Sequence, residues 1–181
     1  MKKVILFISI ICCIFSCNDS KDIDRIEEYM NVYIPLCVEK NSILQTVPLV
    51  KNSVNFVEIS NFNFNSDTLF LLGAYCGGTL APSEDLKVEF SLATDSLVSL
   101  QKKNVSQSVY QQLPEKYYSI ENWNVTIPKG HENGYLNVNL KLSQIPAGSK
   151  FILPIRINSV SKYDLDPEKS FILLAINKPD K

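Results

Sequence analysis

Alternating apolar and polar side chains mark the middle of this sequence. In the segment LKVEFSL, every second residue from Leu86 to Leu92 is apolar, and Lys, Glu and Ser occupy the positions between them. A period of two with one apolar face is typical of a half-buried antiparallel strand. The preceding segment GGTLAPSED contains the glycine and proline residues that favour turns. The pattern therefore predicts a turn followed by a strand.

Further strands are predicted where an apolar run or the same alternation lies between turn residues. These are residues 32–38, 69–75, 123–127, 135–142, 151–157 and 171–176, with another apolar segment around 47–59. Residues 69–75 are apolar on both faces, which indicates a central strand. Pro35 indicates a strand at a sheet edge or at a bulge, and the strand with Pro154 is a second candidate edge. A short helix followed by a loop is predicted within residues 96–112. Seven or eight short strands favour an all-β, antiparallel β-sandwich, with a closed barrel as the alternative.

The N-terminal residues resemble a bacterial lipoprotein signal. Lys2 and Lys3 precede an apolar run that ends at Phe15 and is shorter than the roughly 20 residues that span a bilayer. The sequence IFSC that ends at Cys17 resembles a lipobox, in which the cysteine receives the lipid and becomes the first mature residue. We predict a signal peptide over residues 1–16 and lipidation at Cys17. The alternative is an ordinary secretory signal with a chance cysteine.

Residues 18–28, NDSKDIDRIEE, carry five acidic and two basic side chains. We predict that residues 17–28 form a flexible acidic tether and that residues 29–181 form a single β-sandwich domain. An acidic run after a lipidated cysteine also resembles the signal for the outer face of the Gram-negative outer membrane. We therefore expect a lipid-anchored protein that faces the cell surface, with a periplasm-facing spacer as the alternative.

Charge and cysteine content narrow the function classes. Without Lys2 and Lys3, 16 basic side chains remain against 19 acidic ones, a net charge of about −3. Such a chain has no basic patch for nucleic acid. Cys37 and Cys76 are the cysteines that follow Cys17, and the sequence leaves open whether they form a disulfide or stay buried as thiols.

No set of residues predicts an enzyme, a cofactor or a metal site. Glycoside hydrolysis needs two positioned carboxyl groups, but Glu115 and Glu121 lie in predicted turns or strand edges, and Asp85 is expected to cap a turn. The single histidine, His131, lies in the turn-like segment HENG. Residues 164–168, DLDPE, offer alternating oxygen ligands but lack the glycine and distal glutamate of an EF-hand loop.

Three motifs in order carry a family resemblance: GGTLAPSEDLKVEF, LPEKYYSIENWNVTIPKG and LPIRINSVS. Together they look like domain-of-unknown-function family 1735, over about Tyr33 to Ser161. The resemblance implies an immunoglobulin-like sandwich. It also implies an outer-surface lipoprotein from a locus for capturing and degrading complex glycans. In that family the domain usually precedes another module. This chain is expected to stop after the one domain, so an activity of that module is not carried over.

Candidate ligand-binding residues follow from the chemistry of sugars. Sugar rings have apolar C–H faces edged by hydroxyl groups, which suit exposed aromatic side chains beside polar ones. The candidates are Tyr117, Tyr118, Tyr110, Tyr135 and Trp123. Alternation with Val125 and Ile127 places Trp123 on an inner face, so core packing competes with ligand stacking. At least one residue of the pair Tyr117-Tyr118 is expected to be exposed.

We therefore expect an accessory glycan-binding lipoprotein in polysaccharide capture. Its expected partners are the outer membrane through the lipid, and an oligosaccharide or neighbouring glycan-uptake proteins. The alternative is a structural or adhesin-like subunit that binds protein, for instance by accepting a strand at an edge near Pro35 or Pro154.

Overall fold

A computed structural model describes residues 29–37, 49–51, 55–59, 62–103 and 110–180. The predicted signal peptide, Cys17 and the predicted tether lie outside the described residues.

The described residues form twelve strands and one α-helix. The strands are β1 (Asn31–Tyr33), β2 (Leu49–Lys51), β3 (Phe56–Ile59), β4 (Thr68–Gly77), β5 (Leu86–Leu92), β6 (Gln111–Gln112), β7 (Tyr118–Ser119), β8 (Asn124–Ile127), β9 (Asn133–Leu140), β10 (Lys150–Val160), β11 (Asp164–Leu165) and β12 (Phe171–Asn177). The helix is α1 (Thr94–Lys103), and 3₁₀ turns span Pro35–Cys37, Glu115–Tyr117 and Leu142–Gln144. Seven of these strands have four or more residues, whereas the others are too short to show an alternating pattern.

Two sheets build the fold. The five-stranded sheet has the order β11-β1-β4-β9-β7, and the seven-stranded sheet has the order β2-β3-β12-β10-β5-β8 with β6 also beside β10. The predicted all-β sandwich with one short helix is confirmed. Most pairs are antiparallel, but β1–β11, β6–β10 and β3–β12 are parallel, which the sequence pattern does not show.

The main core lies between the two sheets. Leu86, Val88 and Phe90 of β5 are buried there while the side chains between them are exposed, so the alternation of this strand is confirmed. The facing sheet contributes the inward residues of β4 and β9, which include Leu72, Ala74, Leu136, Val138 and Leu140.

A second apolar cluster covers the other face of the seven-stranded sheet. It joins Leu97 of α1 to side chains of that sheet and its neighbours, namely Phe56, Tyr110, Ile152, Leu173 and Ala175. Arg156 of β10 pairs with Asp95 and donates to Ser96 Oγ at 3.2 Å, which fixes the start of α1. Because both faces of β10 and β12 are covered, these strands read as continuous apolar runs.

Both predicted proline edges are wrong. The strand predicted over residues 32–38 ends at Tyr33, and Pro35 begins a 3₁₀ turn instead. Pro154 lies inside β10, which pairs with β12 on one side. On the other side, β10 pairs with β6 as far as Ile152 and with β5 from Ile155 onward. Pro154 falls where β10 changes neighbour, so its missing N–H leaves no strand pair broken.

Strand β4 is central, as predicted, but the described residues leave part of its outer face exposed. It is the third of five strands, between β1 and β9. On its outer face Leu69 and Leu71 remain 54% and 41% exposed.

Several details settle expectations from the sequence. Cys37 and Cys76 are both buried and no disulfide joins them. The Asp85 carboxylate accepts a hydrogen bond from the Lys129 N–H at 2.8 Å, so it caps the turn that follows β8. Among the described residues, no helix is both long enough and apolar enough to cross a membrane.

Candidate functional site

An open groove lies where the chain passes from one sheet to the other. Residues 120–123 connect β7, at the edge of the five-stranded sheet, to β8, at the edge of the other sheet. Within the described part of the chain, strand β8 pairs with residues 86–89 of β5 and with no other strand. The Phe90 N–H then donates to the Trp123 carbonyl at 2.8 Å. β5 continues for two residues past this bond, and the space beside its end is the groove.

The groove has a volume of about 710 Å³ and lies between two walls. One wall is the end of β5, residues 89–92. The other consists of Glu115, Tyr118, Ser119, Ile120 and Trp123. The second wall therefore comes entirely from the motif LPEKYYSIENWNVTIPKG, and the first motif supplies part of the opposite wall. We call this site the edge groove.

The Glu89 carboxylate is held in place by the neighbouring strand. Its Oε2 accepts hydrogen bonds from Ser159 Oγ at 2.9 Å and from Asn158 Nδ2 at 3.3 Å. The pairing of β10 with β5 shifts register between Ile157 and Ser159. This bulge brings two consecutive polar side chains to one carboxylate, which regular alternation would not allow.

Tyr118 and Glu115 form the opposite wall. Tyr118 begins β7 and faces inward, and it is only 8% exposed. Burial raises the pKa of its hydroxyl, and the charge of Glu115 raises it further. The phenol is therefore neutral at ordinary pH and keeps its hydrogen-bond donor.

Trp123 is both a core residue and a groove residue. It is partly buried and packs against the main core, yet it also lines the edge groove. The Asn122 side chain accepts a hydrogen bond from the Asn124 N–H at 2.9 Å, a local turn that fixes the backbone on both sides of Trp123. Core packing and ligand contact, which the sequence offered as alternatives, are compatible at this position.

The expectation that one residue of the pair Tyr117-Tyr118 is exposed is wrong. Tyr117 is 7% exposed, and its ring lies 5.8 Å from that of Phe151. Tyr117 ends a 3₁₀ turn and Tyr118 begins a strand. The two-residue alternation does not extend across that change, so both side chains face inward.

The two remaining tyrosines lie outside the edge groove. Tyr110 is buried, packs edge-on against Phe56 at 5.5 Å, and accepts a hydrogen bond from Asn177 Nδ2 at 3.0 Å. Tyr135 is 44% exposed and lies on the outer face of the five-stranded sheet, opposite Gly73 in the strand register. The structure thus brings together Tyr118 and Trp123 of the five candidates.

Sequence reasoning missed the groove residues Glu89, Ser91 and Ser119. Glu89 and Ser91 are the outward positions of an alternating strand, which reads as an ordinary solvated face. Ser91 lies beyond the residues of β5 that pair with β8, whereas Glu89 pairs with Asn124, and the residue at which a strand ends is hard to read from sequence.

Metal binding finds no support in the described residues, which contain no group of three or more His, Cys, Asp or Glu side chains placed to hold an ion. In the segment DLDPE, Asp166 Oδ2 lies 2.5 Å from Lys169 Nζ. The hydrogen bond from this ammonium group lowers the pKa of Asp166. Asp166 also accepts the Glu168 N–H at 3.0 Å, so this carboxylate caps a turn.

A family comparison gives these residues a context. A model described as "-like, N-terminal domain" matches residues 29–164, well over half of the chain. The chain belongs to this family of N-terminal domains. No curated protein matches the sequence.

Solved structures show the same fold in longer proteins. A proposed carbohydrate-binding protein of Bacteroides ovatus is 19% identical with a TM-score of 0.56, over 82% of this chain and 37% of that one. A Bacteroides ovatus multidomain protein including domain-of-unknown-function family 1735 is 21% identical with a TM-score of 0.52, over 81% and 44%. An auxiliary nutrient-binding protein of Bacteroides thetaiotaomicron is 15% identical with a TM-score of 0.53, over 66% and 43%.

An enzyme also contains this fold. The protein EndoBT-3987 of Bacteroides thetaiotaomicron, solved with its Man5GlcNAc product, is 10% identical with a TM-score of 0.51, over 68% of this chain and 28% of that one. The chain thus spans less than half the length of each of these four structures. At such identities the likeness shows the fold alone.

Proposed function

We propose that this protein is a lipid-anchored accessory glycan-binding protein of the cell envelope, and that it binds oligosaccharide in the edge groove. The proposal rests on one observation above all. An open groove combines two aromatic side chains, Trp123 and Tyr118, with the hydroxyl groups of Ser91 and Ser119 and two carboxylates. Aromatic side chains match the apolar faces of sugar rings, and the polar groups match their hydroxyl edges.

The lipoprotein part of the proposal rests on the sequence. The lipobox ending at Cys17 supports lipidation, and the acidic residues after it support the outer surface. Assignment to domain-of-unknown-function family 1735 rests on the three motifs and on the structural neighbour that contains that domain. Metabolic labelling with palmitate tests this part, because Cys17→Ser should abolish the label. Removal of the domain from intact cells by an added protease tests the surface location.

Binding fits the groove better than hydrolysis. A glycosidase needs one carboxyl group that gives up a proton to the leaving group. Glu89 Oε2 instead accepts two hydrogen bonds, an arrangement that suits a hydrogen-bond acceptor for a ligand rather than a proton donor. We therefore assign no catalytic step to the edge groove.

The binding proposal is tested with an oligosaccharide array and then isothermal titration calorimetry on the full chain carrying Cys17→Ser. Trp123→Ala should weaken binding of the selected oligosaccharide about fivefold or more, because removing an aromatic stacking surface costs roughly 1–3 kcal/mol. Tyr135→Ala is the matched control, since it removes an exposed aromatic ring away from the groove. Equal binding by the two variants would contradict the proposal.

Strand addition is the second candidate, and it has its own observation. Phe90 donates toward β8, and hydrogen-bonding directions alternate along a strand, so the Leu92 N–H and C=O point to the same side, beside the groove. An extended segment of a partner protein could pair there. If strand addition is correct, the oligosaccharide array should yield no ligand. A cysteine introduced by Ser91→Cys should then form a disulfide with a protein partner bound at this edge.

A further inference from the structure

The charge of the edge groove carries information about its ligand. Among the described residues that line the groove, the side chains of charged type are two carboxylates, Glu89 and Glu115, and none is Lys, Arg or His. The other polar side chains are those of Ser91, Ser119 and Tyr118, which are neutral. A ligand in this groove therefore meets negative charge on both walls.

One of these carboxylates is pre-oriented. Ser159 Oγ and Asn158 Nδ2 both donate to Glu89 Oε2, so the group is fixed before a ligand arrives. Within the described part of the chain both bonds end on the same oxygen, which leaves Oε1 to a ligand. Glu115 lies on the opposite wall, close enough for its charge to raise the pKa of Tyr118.

Ionised carboxylates only accept hydrogen bonds. A partner must therefore present donors, which sugars supply as hydroxyl, amide N–H or ammonium groups. A uronate or a sulfate ester presents negatively charged acceptors instead. Resting on the proposed function, we propose that the edge groove selects oligosaccharides without negative charge, neutral or amine-bearing, and rejects uronic-acid and sulfated glycans.

The expected discrimination follows from Coulomb's law. Two like charges about 4 Å apart in water repel enough to weaken binding roughly fivefold. With a carboxylate on each wall at somewhat longer range, an anionic oligosaccharide should bind at least about tenfold more weakly than its neutral counterpart. Because the groove is open to solvent, salt should reduce this factor, since the screening length is about 10 Å at 0.1 M.

The test uses matched pairs of oligosaccharides with the full chain carrying Cys17→Ser. Cellohexaose, mannohexaose and N-acetylchitohexaose are each compared with the product of selective oxidation of their primary hydroxyl groups to carboxylates. The neutral member should bind at least tenfold more tightly at low salt. In the double variant Glu89→Gln, Glu115→Gln the difference should fall below about threefold, because amides keep the shape without the charge. Glu115→Gln alone serves if the double variant melts early.

The outcomes separate the two proposals. If an oxidised oligosaccharide binds as tightly as its neutral parent, the charge selection is overturned while glycan binding stands. The same holds if the glutamine variants keep the full discrimination. If neither member of any pair binds, the proposed function itself falls, and this inference falls with it.

Discussion

Replacing Gly134 tests the packing that sets the separation of the two sheets. Gly134 lies on the inner face of β9, across from β8. A Cβ atom at this position would lie 2.7 Å from Val125 Cγ1, 2.8 Å from the Thr126 carbonyl oxygen and 3.1 Å from Ile127 Cγ1. The contact with a backbone oxygen cannot be relieved by a rotamer change. Gly134→Ala therefore forces β8 and β9 apart, and Trp123 directly precedes β8.

The expected cost is about 2–3 kcal/mol, at the upper end of the range for overpacking by one methyl group. For a domain of this size that corresponds to a fall in Tm of about 4–12 °C. Urea unfolding followed by circular dichroism measures the change, and an unchanged m-value would show that stability alone has shifted.

Gly73→Ala is the matched control. Gly73 lies in β4 of the same sheet, but its added Cβ would meet Pro35 Cγ at 3.5 Å and Tyr135 Cε1 at 3.8 Å, both ordinary contacts. This substitution should leave stability unchanged or raise it by up to about 1 kcal/mol, because alanine lowers the entropy of the unfolded chain. If Gly134→Ala is as stable as Gly73→Ala, the close approach of the sheets at β8 is refuted.

Three further substitutions test other parts of the fold. Tyr117→Ala should cost about 3–5 kcal/mol, because it empties a buried aromatic position. Asp85→Ala should cost about 1 kcal/mol by removing the acceptor for the Lys129 N–H. Tyr75 tests the effect of pH: the hydrogen bond from Tyr75 Oη to Glu132 at 2.6 Å raises the pKa of Tyr75 to about 12. Its contribution to stability should therefore be complete below about pH 10, the unfolded value, and be lost between pH 10 and 12.

Each of these has a control measured in the same way. Tyr135→Ala removes an exposed tyrosine and should change stability by no more than about 0.5 kcal/mol. If Tyr117→Ala cost no more than Tyr135→Ala, the burial of Tyr117 would be contradicted. Asp85→Asn keeps the acceptor and should recover most of the loss at that position. Tyr75→Phe should flatten the decline in stability above pH 10, and an unchanged pH profile would show that the pair with Glu132 contributes nothing.

The sequence predicted the strands where one face alone is buried. The alternation of residues 86–92 is confirmed because one face of β5 packs on the core and the other is partly solvated, which imposes the period of two directly on the side chains. The apolar runs in β10 and β12 were predicted as strands too. Their neighbours were not, because a strand buried on both faces carries no mark of which strand it pairs with. Pro154 led to a wrong edge prediction because the sequence does not show that β10 changes its neighbouring strand at this residue.

The edge groove could be predicted only in part. Trp123 and Tyr118 were among the candidates because their side chains have the right chemistry. Their meeting depends on the chain crossing between sheets over residues 120–123 and on β8 being shorter than β5. The two donors that hold the Glu89 carboxylate, Asn158 and Ser159, come from a bulge in β10, a backbone irregularity that the sequence of β10 does not indicate.

The most direct test of the account uses the single tryptophan of the chain, Trp123. Its fluorescence is followed while an oligosaccharide that binds by calorimetry is added, and quenching by acrylamide is measured with and without it. The account predicts a saturable spectral shift, with the same Kd as calorimetry, and protection of the indole ring from the quencher. Calorimetric binding with no change in either signal would place the ligand elsewhere and contradict the edge groove as the binding site.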